Sequence, residues 1–178
     1  MTLREMILEK HSRAQTEAVT AFIGTSKSRL NELMELFLYG EYRVVQRSVW
    51  VLRLIAQAHA EMIAPHLEKM VNRMRDPGIP VAVKRNVVNV LIYVDIPEPL
   101  HGPVMDICFQ LLEDSQETVA VRAASMSVLA KLAEVYPEIG NEIALLIEAQ
   151  QPEGITPGFA SRARKTLQAL GRGTKKES

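Results

Sequence analysis

Four histidines, one cysteine and one tryptophan are the side chains of this sequence best suited to chemistry, and their spacing limits what each can do. His59-x-Glu61 sets a possible metal ligand beside a possible general acid and base, the start of a site for attack by zinc-activated water. Such a site needs a Pro-Cys-x-x-Cys partner, which a chain whose one cysteine is Cys108 cannot supply. His11, His59, His66 and His101 are scattered without metal-ligand spacing, so no metal and no other cofactor is expected. Cys108 stands between Ile107 and Leu111 on an apolar stripe and reads as a small buried hydrophobe more than as a nucleophile. No phosphate-cradling glycine loop and no Gly-x-Ser-x-Gly elbow occurs, and no carboxylate pair is brought together, so no enzymatic activity is expected.

What remains is binding chemistry. Arginine forks and one indole recur in particular segments: Arg47, Trp50 and Arg53, then Arg85 with Asn89, then Arg164 with Lys165. Guanidinium groups bind carboxylates and phosphates bidentately, and a tryptophan in the same patch supplies apolar contact area. Whether these residues can act together depends on the elements that carry them.

Those elements repeat. Val83-Lys84-x-x-Val87-x-x-Val90-Leu91 and Val121-Arg122-x-x-Ser125-x-x-Val128-Leu129 share one pattern, flanked by Val44-Val45-x-x-Ser48-x-x-Val51-Leu52 and Phe159-Ala160-x-x-Ala163-x-x-Thr166-Leu167. The copies start at 44, 83, 121 and 159, intervals of 39, 38 and 38 residues. Within each copy the apolar or small positions fall at i, i+4, i+7 and i+8 and continue at i+11 with Ile55, Val94, Leu132 and Leu170, one stripe of an α-helix. A second stripe precedes each: Leu30, Leu33, Met34, Phe37; Leu67, Met70, Val71, Met74; Val104, Ile107, Cys108, Leu111; and Ile143, Leu146, Ile147, Gln150, which ends polar as a terminal repeat can. Proline or glycine at Gly24, Gly40, Pro77-Gly78, Pro97 to Pro99, Gly102-Pro103, Pro137 and Pro152 to Gly158 separates the periodic segments. Each repeat therefore reads as helix A, turn, helix B.

The predicted architecture is all-α, a right-handed α-α superhelix of four helical pairs over about 27–58, 62–95, 100–135 and 138–170. Residues 1–24, with one long helix from Leu3 to Ile23, lack the motif and are expected to cap the stack, giving one solenoid domain over 1–170. The polar residues 171–178 are expected to fray as a flexible tail.

Val121-Arg122-x-x-Ser125-x-x-Val128-Leu129 resembles the second helix of a HEAT repeat, whose pattern is Val-Arg-x-x-Ala-x-x-Ala-Leu, and the resemblance covers roughly Lys27 to Leu170. The basic residue after the first Val is kept at Lys84 and Arg122 and replaced by Val45 and Ala160. The resemblance implies an armadillo-like α-solenoid with a recognition surface, in a family made mostly of scaffolds. The chain also resembles small bacterial HEAT-like proteins that carry an adenylosuccinate lyase label. That lyase superfamily has a mobile Gly-Ser-Ser loop followed by a Met and a Lys-x-Asn element; only Lys84-Arg85-Asn86 is present here, so lyase activity is not expected. HEAT-like DNA glycosylases set an Asp among aromatics in a basic groove, and the B helices here offer no mid-helix Asp or Glu.

Charge is sorted by helix although 21 basic and 21 acidic residues cancel overall. The B helices carry Arg43, Arg47, Arg53, Lys84, Arg85, Arg122, Lys131, Arg162, Arg164 and Lys165, opposed only by Glu41 and Glu134 at their ends. The A helices and turns hold most of the acids. Away from the core the B helices would form ladders across repeats: Gln46, Arg85, Ala123, Ser161; Trp50, Asn89, Ser127, Lys165; and Arg53, Ile92, Ala130, Gln168. The expected partner-binding residues are Arg47, Trp50, Arg53, Arg85, Asn89, Arg164 and Lys165, forming a basic concave face for an acidic segment of another protein. Nucleic acid is the alternative ligand of the same groove. The competing accounts are that these bases lie on solvated faces, pairing with carboxylates of neighbouring A helices, and that Trp50 packs against a neighbouring helix. One cysteine, no signal-like apolar run in Met1 to Glu9 and no run of membrane-spanning length make cytoplasmic location the expectation and a membrane partner unexpected.

Overall fold

Stripes of apolar residues at helical spacing become buried seams, and in the computed structural model they organise eleven α-helices among the described residues, 1–150 and 156–171. No strand occurs among them. The tail expected to fray lies outside the described residues except for Gly171. The chain packs as two compact units that meet in sequence at Pro97 and Glu98.

The first unit holds α1 (Leu3–Glu9), α2 (Arg13–Ile23), α3 (Lys27–Tyr39), α4 (Tyr42–Ala58), α5 (Ala60–Ile63), α6 (Leu67–Arg73) and α7 (Val81–Tyr93). α4 is its centre, packed on α3, on α2 and on α7. Its motif residues Val44, Ser48, Val51, Leu52 and Ile55 are all buried, as are Val83, Val87, Val90, Leu91 and Val94 of the α7 copy. Full burial of each Val, Leu or Ile contributes roughly 1.5–3 kcal/mol, so the recurring stripe is the main stabilising element.

The N-terminal segment departs from the single long helix expected over Leu3 to Ile23. It is two helices, broken at Lys10, whose φ of −151° and ψ of 143° are extended. Ser12 restarts the chain as N-cap, its hydroxyl accepting from the Gln15 N–H at 3.1 Å. Three carbonyls freed at the end of α1 find donors: Gln15 Nε2 reaches Met6 at 2.7 Å, and Arg47 Nη1 reaches Ile7 at 3.2 Å and Leu8 at 2.9 Å. α1 and α2 pack on each other, and both pack on α4. The segment is thus a shorter helical pair of its own. Ser12, Thr16, Val19, Thr20 and Ile23 repeat the offsets of the motif, with hydroxyl residues at three of the five places. Those threonines are tolerated at the seam because Thr16 Oγ1 donates to the Ser12 carbonyl at 3.0 Å and Thr20 Oγ1 to the Thr16 carbonyl at 2.7 Å.

The second unit holds α8 (Glu98–Glu113), α9 (Val119–Ala133), α10 (Gly140–Gln150) and α11 (Pro157–Ala169). α9 is its centre, against α8, α10 and α11. The break expected at Gly102-Pro103 does not occur: α8 runs through with Pro103 inside it. Proline there removes one backbone donor, but Leu100, Val104, Ile107, Cys108 and Leu111 are buried on one continuous stripe, and that burial outweighs a single lost hydrogen bond. Proline acts differently in the first unit, where Pro65 lies in a 3-10 turn, Ala64–His66, that separates α5 from α6. Gln150, the polar end of the fourth A stripe, has a structural task. Its amide donates to the Leu112 carbonyl at 2.5 Å and its carbonyl accepts from Arg122, whose guanidinium also lies 5.0 Å from the centre of the Phe159 ring.

Candidate interaction surface

The helices with the recurring motif leave one side free of their own acids. α4, α7, α9 and α11 contain no Asp or Glu, since Glu41 and Glu134 are cap residues outside the helices. Ion pairing with A-helix carboxylates would have neutralised the bases on that side. Ion pairs among the described residues include Arg4 with Glu41, Arg13 with Glu17, His59 with Glu61 and Arg73 with Asp76, none of which uses a base of these four helices. Hence Arg43, Arg47, Arg53, Lys84, Arg85, Arg162, Arg164 and Lys165 have no carboxylate within salt-bridge distance among the described residues.

The seven residues expected to bind a partner fall into three situations. Arg47 is half-buried and committed within the fold, holding the end of α1 through Ile7 and Leu8. That role joins residues about forty apart and was missed by sequence reasoning; neither the motif nor the charge pattern signals it. Arg164 and Lys165 are exposed on α11 in the second unit. Trp50, Arg53, Arg85 and Asn89 are half-buried on α4 and α7 in the first. Asn89 Nδ2 donates to the Arg85 carbonyl at 2.8 Å, which fixes its side chain along its own helix. Arg53 and Arg85 have no side-chain acceptor, ion pair or ring contact among the described residues, and the Nε of each is buried.

Trp50 stacks on His11, ring centres 5.2 Å apart and planes 23° from parallel. The sequence offered His11 no role beyond its lack of metal-ligand spacing; it lies in the break between α1 and α2. Trp50, Arg53, Leu54 and Gln57 of α4 form one wall of a hollow of about 350 Å³, completed by Arg13 and Thr16 of α2 and by Asn86 of α7. α2 therefore supplies part of the site, which the reading of residues 1–24 as a cap did not anticipate. In the second unit a hollow of about 400 Å³ opens at the same register of α9, lined by Ser127, Ala130, Lys131 and Glu134. The first is thus charged and aromatic, while the second is lined largely by small side chains.

The candidates for catalysis sit in ordinary surroundings. His59 and Glu61 form an exposed local pair at 3.6 Å. Partial burial, with the Lys69 charge beside it, holds His66 below the usual histidine value. Cys108 is fully buried, and burial pushes its thiol up to about 12. The neutral thiol is therefore favoured by folding: its contribution to stability is complete below the ordinary value of 9.0 and is lost as pH rises from there through about 12. Native protein is expected not to react with a thiol reagent at pH 8 until it is unfolded, and Cys108→Ala is expected to remove this alkaline component from a denaturation series. Rapid labelling of native protein would contradict the burial.

A family model described as HEAT repeat domain matches residues 3–170. No curated protein matches the chain, and no solved structure does. No helix among the described residues is long and apolar enough to cross a membrane.

Proposed function

Since this chain belongs to the HEAT repeat family, whose members commonly serve as protein-interaction scaffolds and are generally non-catalytic, we propose that it is a non-enzymatic scaffold that binds an acidic segment of another protein. The binding face on this reading is the side of α4 and α7 bearing Trp50, Arg53, Arg85 and Asn89. The observation that carries it is the pair of half-buried guanidinium groups, Arg53 and Arg85, left without an acceptor among the described residues. A guanidinium group partly withdrawn from water gains more from an external carboxylate than a fully solvated one does, because its surroundings screen less. Arg164 and Lys165 extend the proposal to α11 as a second basic patch.

Phosphate would use the same forks, so salt dependence separates the two ligands. Anisotropy titrations with labelled decaglutamate, duplex DNA and single-stranded DNA at low and physiological salt provide the test. Saturable binding of the peptide, tighter than either DNA at low salt, is expected. DNA binding tighter than the peptide and falling with a log-log slope of about −0.7 to −0.9 per neutralised phosphate would overturn the proposal in favour of nucleic acid. Binding of none of the three at low salt would leave the face without an anionic ligand and sink both readings.

A further inference from the structure

The hollow between α2, α4 and α7 has more in it than a basic surface requires. Two shielded arginines of the first unit find acceptors within it, the Ile7 and Leu8 carbonyls for Arg47 and the Asp76 carboxylate for Arg73, whereas Arg85 finds none among the described residues. At Arg53 the described residues supply none. The same wall presents the Trp50 indole and the aliphatic Leu54. His11, stacked on that indole, lines a separate crevice with Lys10 and Gln15, so the stack steadies the ring without filling the hollow. Asn86 is fully buried at the opposite wall; its Nδ2 donates to the Ala82 carbonyl at 2.8 Å and its Oδ1 has no donor.

We infer that this hollow binds a carboxylate carried on an aromatic or bulky apolar body. Arg53 calls for an anionic acceptor, and a planar carboxylate matches its fork. Trp50 and Leu54 call for apolar area beside that charge, which a run of glutamates alone does not provide. A volume of about 350 Å³ lies at the small end of ligand pockets and suits one aromatic residue, not a helix. The inference deepens the function proposed above and rests on it for the choice of face. Two sources carry this chemistry: a free aromatic acid, and the C-terminal aromatic residue of a protein chain.

The test follows the single indole N–H resonance of Trp50 in ¹⁵N-labelled full-length protein titrated with N-acetylphenylalanine, N-acetylphenylalaninamide, N-acetylglycine and pentaglycyl-phenylalanine. The first is expected to shift the resonance saturably. The amide, which lacks the charge, and N-acetylglycine, which lacks the ring, are each expected to bind at least about tenfold more weakly. Arg53→Gln is expected to weaken N-acetylphenylalanine by a similar factor, with circular dichroism confirming the fold, whereas Lys27→Gln, at an exposed residue of α3 outside the hollow, changes it less than about twofold. Tighter binding of pentaglycyl-phenylalanine than of N-acetylphenylalanine supports a chain terminus, and the reverse supports a free acid. Equal binding of acid and amide, or no saturable shift with intact protein, overturns the inference. If the shift is missing while decaglutamate still binds, the pocket is wrong and the acidic-partner reading stands; if decaglutamate fails and the aromatic acid binds, the converse holds.

Discussion

Replacing Phe37 with alanine is expected to lower the unfolding free energy by about 3–5 kcal/mol, the range for emptying a buried aromatic site. Phe37 is 0% exposed at the seam where α3 packs on α4, the central helix of its unit. The lost side chain leaves a void in a close-packed interior where Leu33 and Met34 on the same helix and the α4 stripe are also buried, so collapse around it is limited. Tyr39, two residues on, is 76% exposed, and Tyr39→Ala is expected to stay within about 0.5 kcal/mol of the parent. Urea titrations of the two variants check both values together. Similar losses for the two would mean that α3 does not present the face described.

The second large effect concerns the proposed binding face. Arg53→Glu combined with Arg85→Glu is expected to weaken decaglutamate binding by about a hundredfold or more, since two attractive charges become repulsive and each truncated interface charge can cost about 2–5 kcal/mol. Helicity and stability should change little. Neither side chain holds an acceptor inside the protein among the described residues, so reversal breaks no internal contact. Arg47→Glu is the informative contrast: it strips donors from the Ile7 and Leu8 carbonyls and is expected to destabilise the α1–α2 pair. Unchanged peptide affinity in the double variant, measured by anisotropy, would mean that these bases are only solvated.

Much of this was legible in the residues because a helix stripe is a local property. Val44 to Ile55 and Val121 to Leu132 could be assigned to the core from spacing alone, since hydrophobic period and burial are two expressions of the same geometry. The pair at the N-terminus was not legible by that route. Threonine counts as polar in a sequence, and only the i−4 hydroxyl bonds of Thr16 and Thr20 let it stand at a seam. Pro103 misled for the opposite reason, its local cost being smaller than the burial gained by continuing α8. The site divided in the same way. Which side of α4 carries Trp50 and Arg53 followed from the register, but the difference between Arg47, engaged with α1, and Arg53, engaged with nothing described, depends on neighbours far away in the chain.

The break at Lys10 has a thermodynamic consequence for the hollow. One of its walls belongs to α2, and α2 is held by a short pair whose first helix, Leu3–Glu9, buries only Leu3 and Ile7. Short helices with so few anchors open by local unfolding well below the free energy of the whole domain. Amide protons of α1 and α2 should therefore exchange with solvent sooner than those of α4. A ligand seated against Arg13 and Thr16 would slow that exchange by an amount set by its concentration relative to its dissociation constant, so the breathing of the N-terminal pair becomes a gauge of occupancy.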